Sequence, residues 1–438
     1  MTVCVFGLWH LGCVTAACVA ERFPTIGLDP DPTGIAKLAA GQPPIFEPGL
    51  AELIQAGTSN GNLEFTSDPQ AALRQSEMVW VTFDTPVNEA DEADDAYVEA
   101  QIASLFPYLR HGSLVLISSQ LPVGSTSRIE AAYRKRHPDN DVRFAYSPEN
   151  LRLGKAIDVF RNPGRIVVGV RTAEDRECFG KVLRPFCDNL IWMSVESAEM
   201  TKHALNAFLA NSIVFINEVA TLCENVGADA KQVEQGLKSD ERIGPRAYLG
   251  AGGAFAGGTL ARDVAFLSQT AKRVGAEVPL LESIRTSNDR HKGWPRRKLE
   301  SLLGELAGKT VAVLGLTYKP GTDTLRRSAA VELCLWLFEH QAHVRAFDPA
   351  VKQLSAELSA QMMLCSSAIE AIEQADVVVV ATEWKDFRSL RAEDLVAHMR
   401  TPIVLDANRF LENSLGTAPG LQYFAVGKAV LGKAKESA

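Results

Sequence analysis

Two glycines, one carboxylate and a lysine–asparagine pair are the residues whose types and spacing point to chemistry. Gly7 and Gly12 bracket the run Gly7-Leu8-Trp9-His10-Leu11-Gly12, and Asp29 follows 17 residues after Gly12. A glycine turn between a strand and a helix, with an acid ending the next strand, is the arrangement that binds a dinucleotide. The helix amides and dipole take the pyrophosphate, and the acid takes the ribose hydroxyls. Gly7, Leu8, Leu11 and Gly12 are the turn residues that would meet the cofactor, and Asp29 favours NAD, since a 2′-phosphate would be repelled. Trp9 stands where the motif has its middle glycine. The run alone therefore fits equally a fold that has kept its shape and lost its ligand. Lys202 and Asn206 are four apart, hence on one helix face. An ammonium and an amide side by side could both donate to an oxygen on which negative charge develops. The bland reading of such a pair is an exposed helix face.

The elements that must position these residues fall into three blocks. Val3–Phe6, Thr25–Leu28, Met78–Val81, Leu114–Ile117, Val142–Tyr146 and Arg165–Val170 read as strands, with a helix over Val14–Glu21. Strands alternating with helices imply a parallel doubly wound sheet. Ala198–Val226 is apolar at helical spacing and free of Gly and Pro, so it predicts one long helix, with more helix at Asp263–Val274. Strand–helix alternation returns at Thr310–Leu314, Ala329–His340, His343–Phe347, Asp376–Ala381 and Ile403–Leu405. The expected fold is α/β: two Rossmann-like doubly wound parallel sheets joined by an all-helical central domain with one long helix. The boundaries are 1–196 for the first α/β domain, which carries the dinucleotide turn, 197–300 for the helical domain and 301–438 for the second α/β domain.

Composition narrows the class. The chain has 438 residues, 46% hydrophobic and 22% charged, a formal net charge of -8 and a pI near 5.6. That is ordinary for a soluble globular protein and lacks the basic face that nucleic acid requires. No apolar stretch reads as long enough to span a bilayer, and the N-terminus has no basic leader. The eight cysteines (Cys4, Cys13, Cys18, Cys178, Cys187, Cys223, Cys334 and Cys365) show no ligand spacing. They read as reduced core residues of a cytoplasmic protein that holds no metal.

Several colinear motifs carry a family resemblance across nearly the whole chain. Gly41-Gln42-Pro43-Pro44-Ile45-Phe46-Glu47-Pro48-Gly49-Leu50 resembles G-x-x-P-I-x-E-P-G-L, and Leu121-Pro122-Val123-Gly124-Ser125-Thr126 resembles V-P-V-G-T-T. Ser147-Pro148-Glu149-Asn150-Leu151-Arg152 resembles S-P-E-F-L-R, and Lys202 to Phe208 resembles K-x-x-x-N-A-F. Gly315 to Arg326 resembles G-L-T-F-K-P-x-T-D-D-L-R, and Thr382-Glu383-Trp384 resembles T-E-W. Gly252 to Asp263 is similar to G-x-G-F-G-G-S-C-F-P-K-D, with Thr259 at the cysteine. These are motifs of the nucleotide-sugar 6-dehydrogenases, the UDP-glucose and GDP-mannose dehydrogenase family.

The resemblance implies NAD-dependent oxidation of the C6 alcohol of a UDP- or GDP-sugar, UDP-glucose first among candidates. It implies a homodimer or higher oligomer built on the long helix, and a place in capsule, exopolysaccharide or glycoside precursor supply. Catalytic roles fall to Lys202, Asn206, Asp263, Glu149 and the Thr259 position. Thr85, Gln120, Glu149 and Arg326 join the turn as cofactor residues. Leu151, Arg152, Arg242, Tyr248, Leu249, Phe255, Gly257 and Lys319 join Lys202 and Asn206 around the substrate, Arg242 reaching the partner subunit's site. Departures cluster at ligand positions: Trp9, Asp84 for a glycine, Gln120 for a threonine, Arg262 for a lysine, and Asp406-Ala407-Asn408-Arg409 for D-G-R-N. A threonine hydroxyl is a poor nucleophile without a strong adjacent base, and β-branching makes Thr259 stiff. The chain would then stop at the aldehyde or oxidise its hydrate without a covalent intermediate. Two alternatives are a non-catalytic nucleotide-sugar-binding paralogue and a 3-hydroxyacid-type dehydrogenase.

Overall fold

The structure is a computed structural model that describes residues 1–86, 93–256 and 258–429. The first sheet has eight strands: β1 (Val3–Phe6), β2 (Thr25–Leu28), β3 (Leu63–Thr66), β4 (Met78–Val81), β5 (Leu114–Ile117), β6 (Arg143–Tyr146), β7 (Ile166–Gly169) and β8 (Leu190–Met193). Their spatial order is β3-β2-β1-β4-β5-β6-β7-β8. The order reverses between β1 and β4, and the crevice at the carboxyl ends of the strands at such a reversal is where open α/β sheets bind ligands. Every residue of β1, β2, β4 and β5 is buried. Helices covering both faces explain why these strands are continuous apolar runs rather than alternating ones.

One expectation is corrected in this sheet. It is not wholly parallel: β6 and β7 pair antiparallel, Tyr146 opposite Gly169. β7 and β8 then run parallel to each other.

The second sheet comprises β9 (Thr310–Leu314), β10 (His343–Phe347), β11 (Met363–Leu364), β12 (Val377–Val380), β13 (Ile403–Asp406) and β14 (Gln422–Phe424). Its order is β11-β10-β9-β12-β13-β14, all parallel. The four valines of β12 are buried, each contributing roughly 1.5–3 kcal/mol against exposure. Between Met193 and Thr310 every regular element among the described residues is helical, beginning with the expected long helix, which runs Val195–Val226.

That helix corrects a second expectation. It contains a stretch long and apolar enough, by length and composition, to cross a membrane. Buried Asn206 and Asn217 and the exposed Glu218 lie along it, and a globular protein's core helix passes the same test. By density of contacts the chain divides into two compact units, 1–205 with 265–275, and 206–264 with 276–438.

Candidate functional site

The cofactor turn is built by close packing. Gly7 has φ +97°, and a Cβ there would lie 2.7 Å from the Phe83 ring. A Cβ on Gly12 would lie 1.8 Å from the Gly7 carbonyl oxygen, so the helix His10–Val19 presses directly on the turn. The Thr82 hydroxyl, just beyond β4, donates to the Gly7 carbonyl at 2.8 Å. Trp9 keeps an ordinary backbone (φ −87°) and its side chain is 53% exposed. The missing glycine therefore leaves the backbone path intact, with the indole at the rim. Asp29 accepts from the Leu8 amide at 2.7 Å and the Asp31 amide at 2.9 Å. A carboxylate has about four lone-pair sites, so Asp29 keeps capacity for ribose hydroxyls. A cavity of about 290 Å³ opens here, lined by Gly7, Leu8, Trp9, Asp29, Phe83 and Asp84 among others. These residues fit NAD. Leu11 is buried behind the turn.

The first half of the long helix grips two neighbouring loops. Glu199, fully buried, accepts from the Gly124 amide at 2.6 Å and from the Thr126 amide and hydroxyl at 2.9 and 2.7 Å. His203 bonds the Leu121 carbonyl through Nε2 at 2.9 Å. The same loop holds Gln120, whose carbonyl accepts from Thr85 at 2.5 Å. Lys202 is 7% exposed, and its Nζ donates to the Glu149 carbonyl at 2.6 Å and the Glu149 carboxylate at 3.2 Å. Glu149 also accepts from the Leu151 amide at 2.8 Å. Leu151 packs on the core, and Arg152 is exposed. The lysine is thus no exposed face.

One turn on, Asn206 donates to the fully buried Asp263 carboxylate. Asp263 lies on the helix Thr259–Val274, four residues after Thr259, so both share a face. Thr259 is the helix's first residue and is exposed; Gly258, with φ +107°, precedes it. Gly257 lies outside the described residues. The strand of loop leading in is clamped by residues the motifs did not point to. Asn217 accepts from the Gly252 amide at 3.0 Å, and Asn408 accepts from the Gly253 amide at 2.6 Å. Asn288 accepts from the Phe255 amide at 3.0 Å and donates to its carbonyl at 2.9 Å. His291 bonds the Gly252 carbonyl through Nε2 at 2.8 Å. Their only sequence signal is amide and imidazole side chains inside helical or turn segments, which surface positions share.

Burial holds the His291 imidazole below its ordinary pKa. The unfolded chain therefore binds the proton first, so this contribution to stability is complete above about pH 6.5 and is lost as pH falls through the folded value. His291→Gln, which keeps a donor but cannot titrate, is expected to lose less melting temperature than the wild type between pH 7.5 and 5.5. Calorimetry at the two pH values checks it, and equal losses would remove His291 from the acid response.

Arg242 is exposed and pairs bidentately with Asp240 at 3.0 and 2.7 Å. Tyr248 is 57% exposed while Leu249 is buried. The second sheet repeats the turn of the first: Gly315 has φ +92°, and Asp348 accepts from the Leu316 and Thr317 amides at 2.7 and 2.9 Å. Trp384 and the Thr317 hydroxyl also reach that oxygen. Asp348 is thus committed to structure where Asp29 is not. Lys319 lies with Nζ 5.9 Å over the Tyr318 ring, and Arg326 is exposed. The one-residue displacement of the late arginine has a clear consequence: Arg409 turns to Asp229 at 2.8 Å and to the Val426 carbonyl, and Asn408 takes the contact with the glycine loop.

Family models for the NAD-binding, central and UDP-binding domains of the UDP-glucose/GDP-mannose dehydrogenase family match residues 1–187, 196–290 and 312–413. The chain belongs to the UDP-glucose/GDP-mannose dehydrogenase family. It is an NAD-dependent nucleotide-sugar dehydrogenase, and the UDP-binding domain match excludes the 3-hydroxyacid alternative. It is 34% identical to the UDP-glucose 6-dehydrogenase of Rhizobium meliloti (strain 1021), over 98% of this chain and 100% of that one. It is also 34% identical to the UDP-glucose 6-dehydrogenase of Pseudomonas aeruginosa, over the full length of both. The solved UDP-glucose dehydrogenase of Pyrobaculum islandicum superposes with a TM-score of 0.86 at 29% identity, covering 98% of each chain.

Proposed function

We propose that the chain oxidises the C6 alcohol of UDP-glucose with NAD and releases the aldehyde or its hydrate, without a covalent enzyme intermediate. The observation that carries this is Thr259, exposed at the head of its helix where the family loop has its cysteine, with Gly252, Phe255, Gly257 and Asp263 of that loop kept. NAD, when bound, accepts the hydride from C6. The chain's own residues do the rest. Lys202 and Asn206 present an ammonium and an amide donor from one helix face toward the developing alkoxide. Asp263, held by Asn206, takes the proton through water, and Glu149 orients Lys202. The family motifs assign Thr85, Gln120 and Arg326 to the cofactor, and Leu151, Arg152, Phe255, Gly257, Lys319, Tyr248 and Leu249 to the nucleotide sugar. Incubation with NAD and UDP-glucose, counting NADH per sugar consumed, tests the reading. One NADH with an aldehyde product supports it; two NADH, or none, overturn it.

The domain reading of 1–196, 197–300 and 301–438 goes with this assignment, as does a role in supplying sugar nucleotides to polysaccharide synthesis. All eight cysteines are free thiols, which supports a cytoplasmic setting. The long helix supports a homodimer. Phe208, Phe215 and Leu222, seven apart and 68%, 48% and 65% exposed, form an apolar stripe along it that Val226 extends. A second copy of the helix would cover it, and Arg242 would then reach the partner subunit's site. Phe215→Glu with Leu222→Glu is expected to give monomers by light scattering with the melting transition retained. A dimer that persists in that variant would place the interface elsewhere.

A further inference from the structure

One buried carboxylate joins the cofactor turn to the loop that carries Glu149. Glu47, 3% exposed, lies in the segment Gly41–Leu50; Gln42 and Pro44 of that segment line the cofactor cavity, but Glu47 does not. Its Oε2 accepts from His10 Nε2 at 2.9 Å and from the Gly154 amide at 2.8 Å, and its Oε1 accepts from the Ala156 amide at 2.9 Å. Burial alone would raise this carboxyl, but the Gly154 amide, the His10 ring and the Ala156 amide overcome it and hold the carboxyl below its usual range. His10 is the first residue of the helix whose N-terminal amides would hold the pyrophosphate, and it directly follows Trp9 at the cavity rim. Gly154 and Ala156 end the loop that presents Glu149 and Arg152.

We propose that His10 and Glu47 are a positioning pair that transmits occupation of the cofactor turn to the 149–156 loop, so that NAD and the nucleotide sugar bind cooperatively. This rests on the reading of that loop as a substrate loop. A carboxylate that accepts three short hydrogen bonds in a buried place has little freedom, so a shift of the first helical turn moves Glu47, and Glu47 moves the loop amides. Binding coupling of this kind is reciprocal: the sugar must tighten the cofactor by the factor that the cofactor tightens the sugar.

NADH and UDP-glucose test it, because that pair cannot react. Hydrogen exchange at the Gly154 and Ala156 amides is measured with and without NADH in the wild type, His10→Ala and His10→Gln, the last keeping an amide donor for Glu47. NADH affinity is then measured with and without UDP-glucose. The expected result is slower exchange on NADH binding, and NADH bound about 5-fold or more tighter with UDP-glucose. Both effects should appear in the wild type and His10→Gln and vanish in His10→Ala, whose affinity for NADH alone is kept. Persistence of both effects in His10→Ala overturns the proposal. So does their absence from the wild type, or loss of NADH binding alone in His10→Ala, which would make His10 a ligand contact. Failure of UDP-glucose to bind the wild type would sink the substrate reading instead, and the exchange arm would still decide the relay.

Discussion

Thr259→Cys is expected to convert an enzyme that makes one NADH per sugar into one that makes two. The position is prepared for a thiol by its backbone. Residue 259 opens a helix of 16 residues and is exposed, and a helix N-terminus lowers a thiol pKa toward neutrality. The same field does little for threonine, whose hydroxyl starts too far from ionisation to be brought into range without an adjacent strong base. Cysteine is also unbranched at Cβ and freer to reach an aldehyde. With a thiol in place, the aldehyde forms a thiohemiacetal, a second hydride leaves from it, and water releases the carboxylate. Two readouts check this. NADH per sugar should rise from one to two, and a thiol-alkylating reagent should inactivate the variant while sparing the wild type. If the wild type already yields two NADH, or if the variant stays at one, Thr259 is not what limits the reaction.

Legibility in the sequence followed burial. Strands buried on both faces were readable because they are unbroken apolar runs: Thr25–Leu28, Met78–Val81, Leu114–Ile117, Thr310–Leu314 and His343–Phe347 have their expected bounds. Four strands carried no signal. Of these β3 (Leu63–Thr66) and β11 (Met363–Leu364) end their sheets, as do β8 (Leu190–Met193) and β14 (Gln422–Phe424). Their residues are mixed or half-exposed, since an end strand needs no apolar run. The first helix starts at His10 rather than Val14, because Gly12 belongs inside it as the residue that permits contact with Gly7. The helix expected from Asp263 starts at Thr259.

The site was half legible. The motifs marked Lys202, Asn206 and Asp263, and the structure pairs Lys202 with Glu149 and Asn206 with Asp263. The clamp on the glycine loop was not legible, because Asn288 and His291 look like solvated helix residues until the loop's backbone amide and carbonyls are seen against them. Glu199 was hidden for the same reason: a buried carboxylate satisfied by amides leaves no charged partner to find.

The second large effect is expected at Lys202 and Asn206. Removing one preorganised donor from a developing oxyanion typically costs 10²–10³ in kcat, so Lys202→Ala and Asn206→Ala should each fall by roughly that factor, with NAD affinity kept. A purely structural role predicts a different pattern. Lys202 is one end of a largely buried pair, and its removal would leave Glu149 without its cation, so a structural lysine would show its loss in melting temperature and cofactor binding before kcat. The double variant separates the two cases. If both donors act on one oxygen, they work as a unit and the combined loss falls well short of the product of the single losses. If each merely supports its own loop, through Glu149 in one case and Asp263 in the other, the losses multiply. Steady-state kinetics and NAD calorimetry on the three variants decide it. A multiplicative loss with weakened NAD binding would move both residues from the reacting atoms to the scaffold.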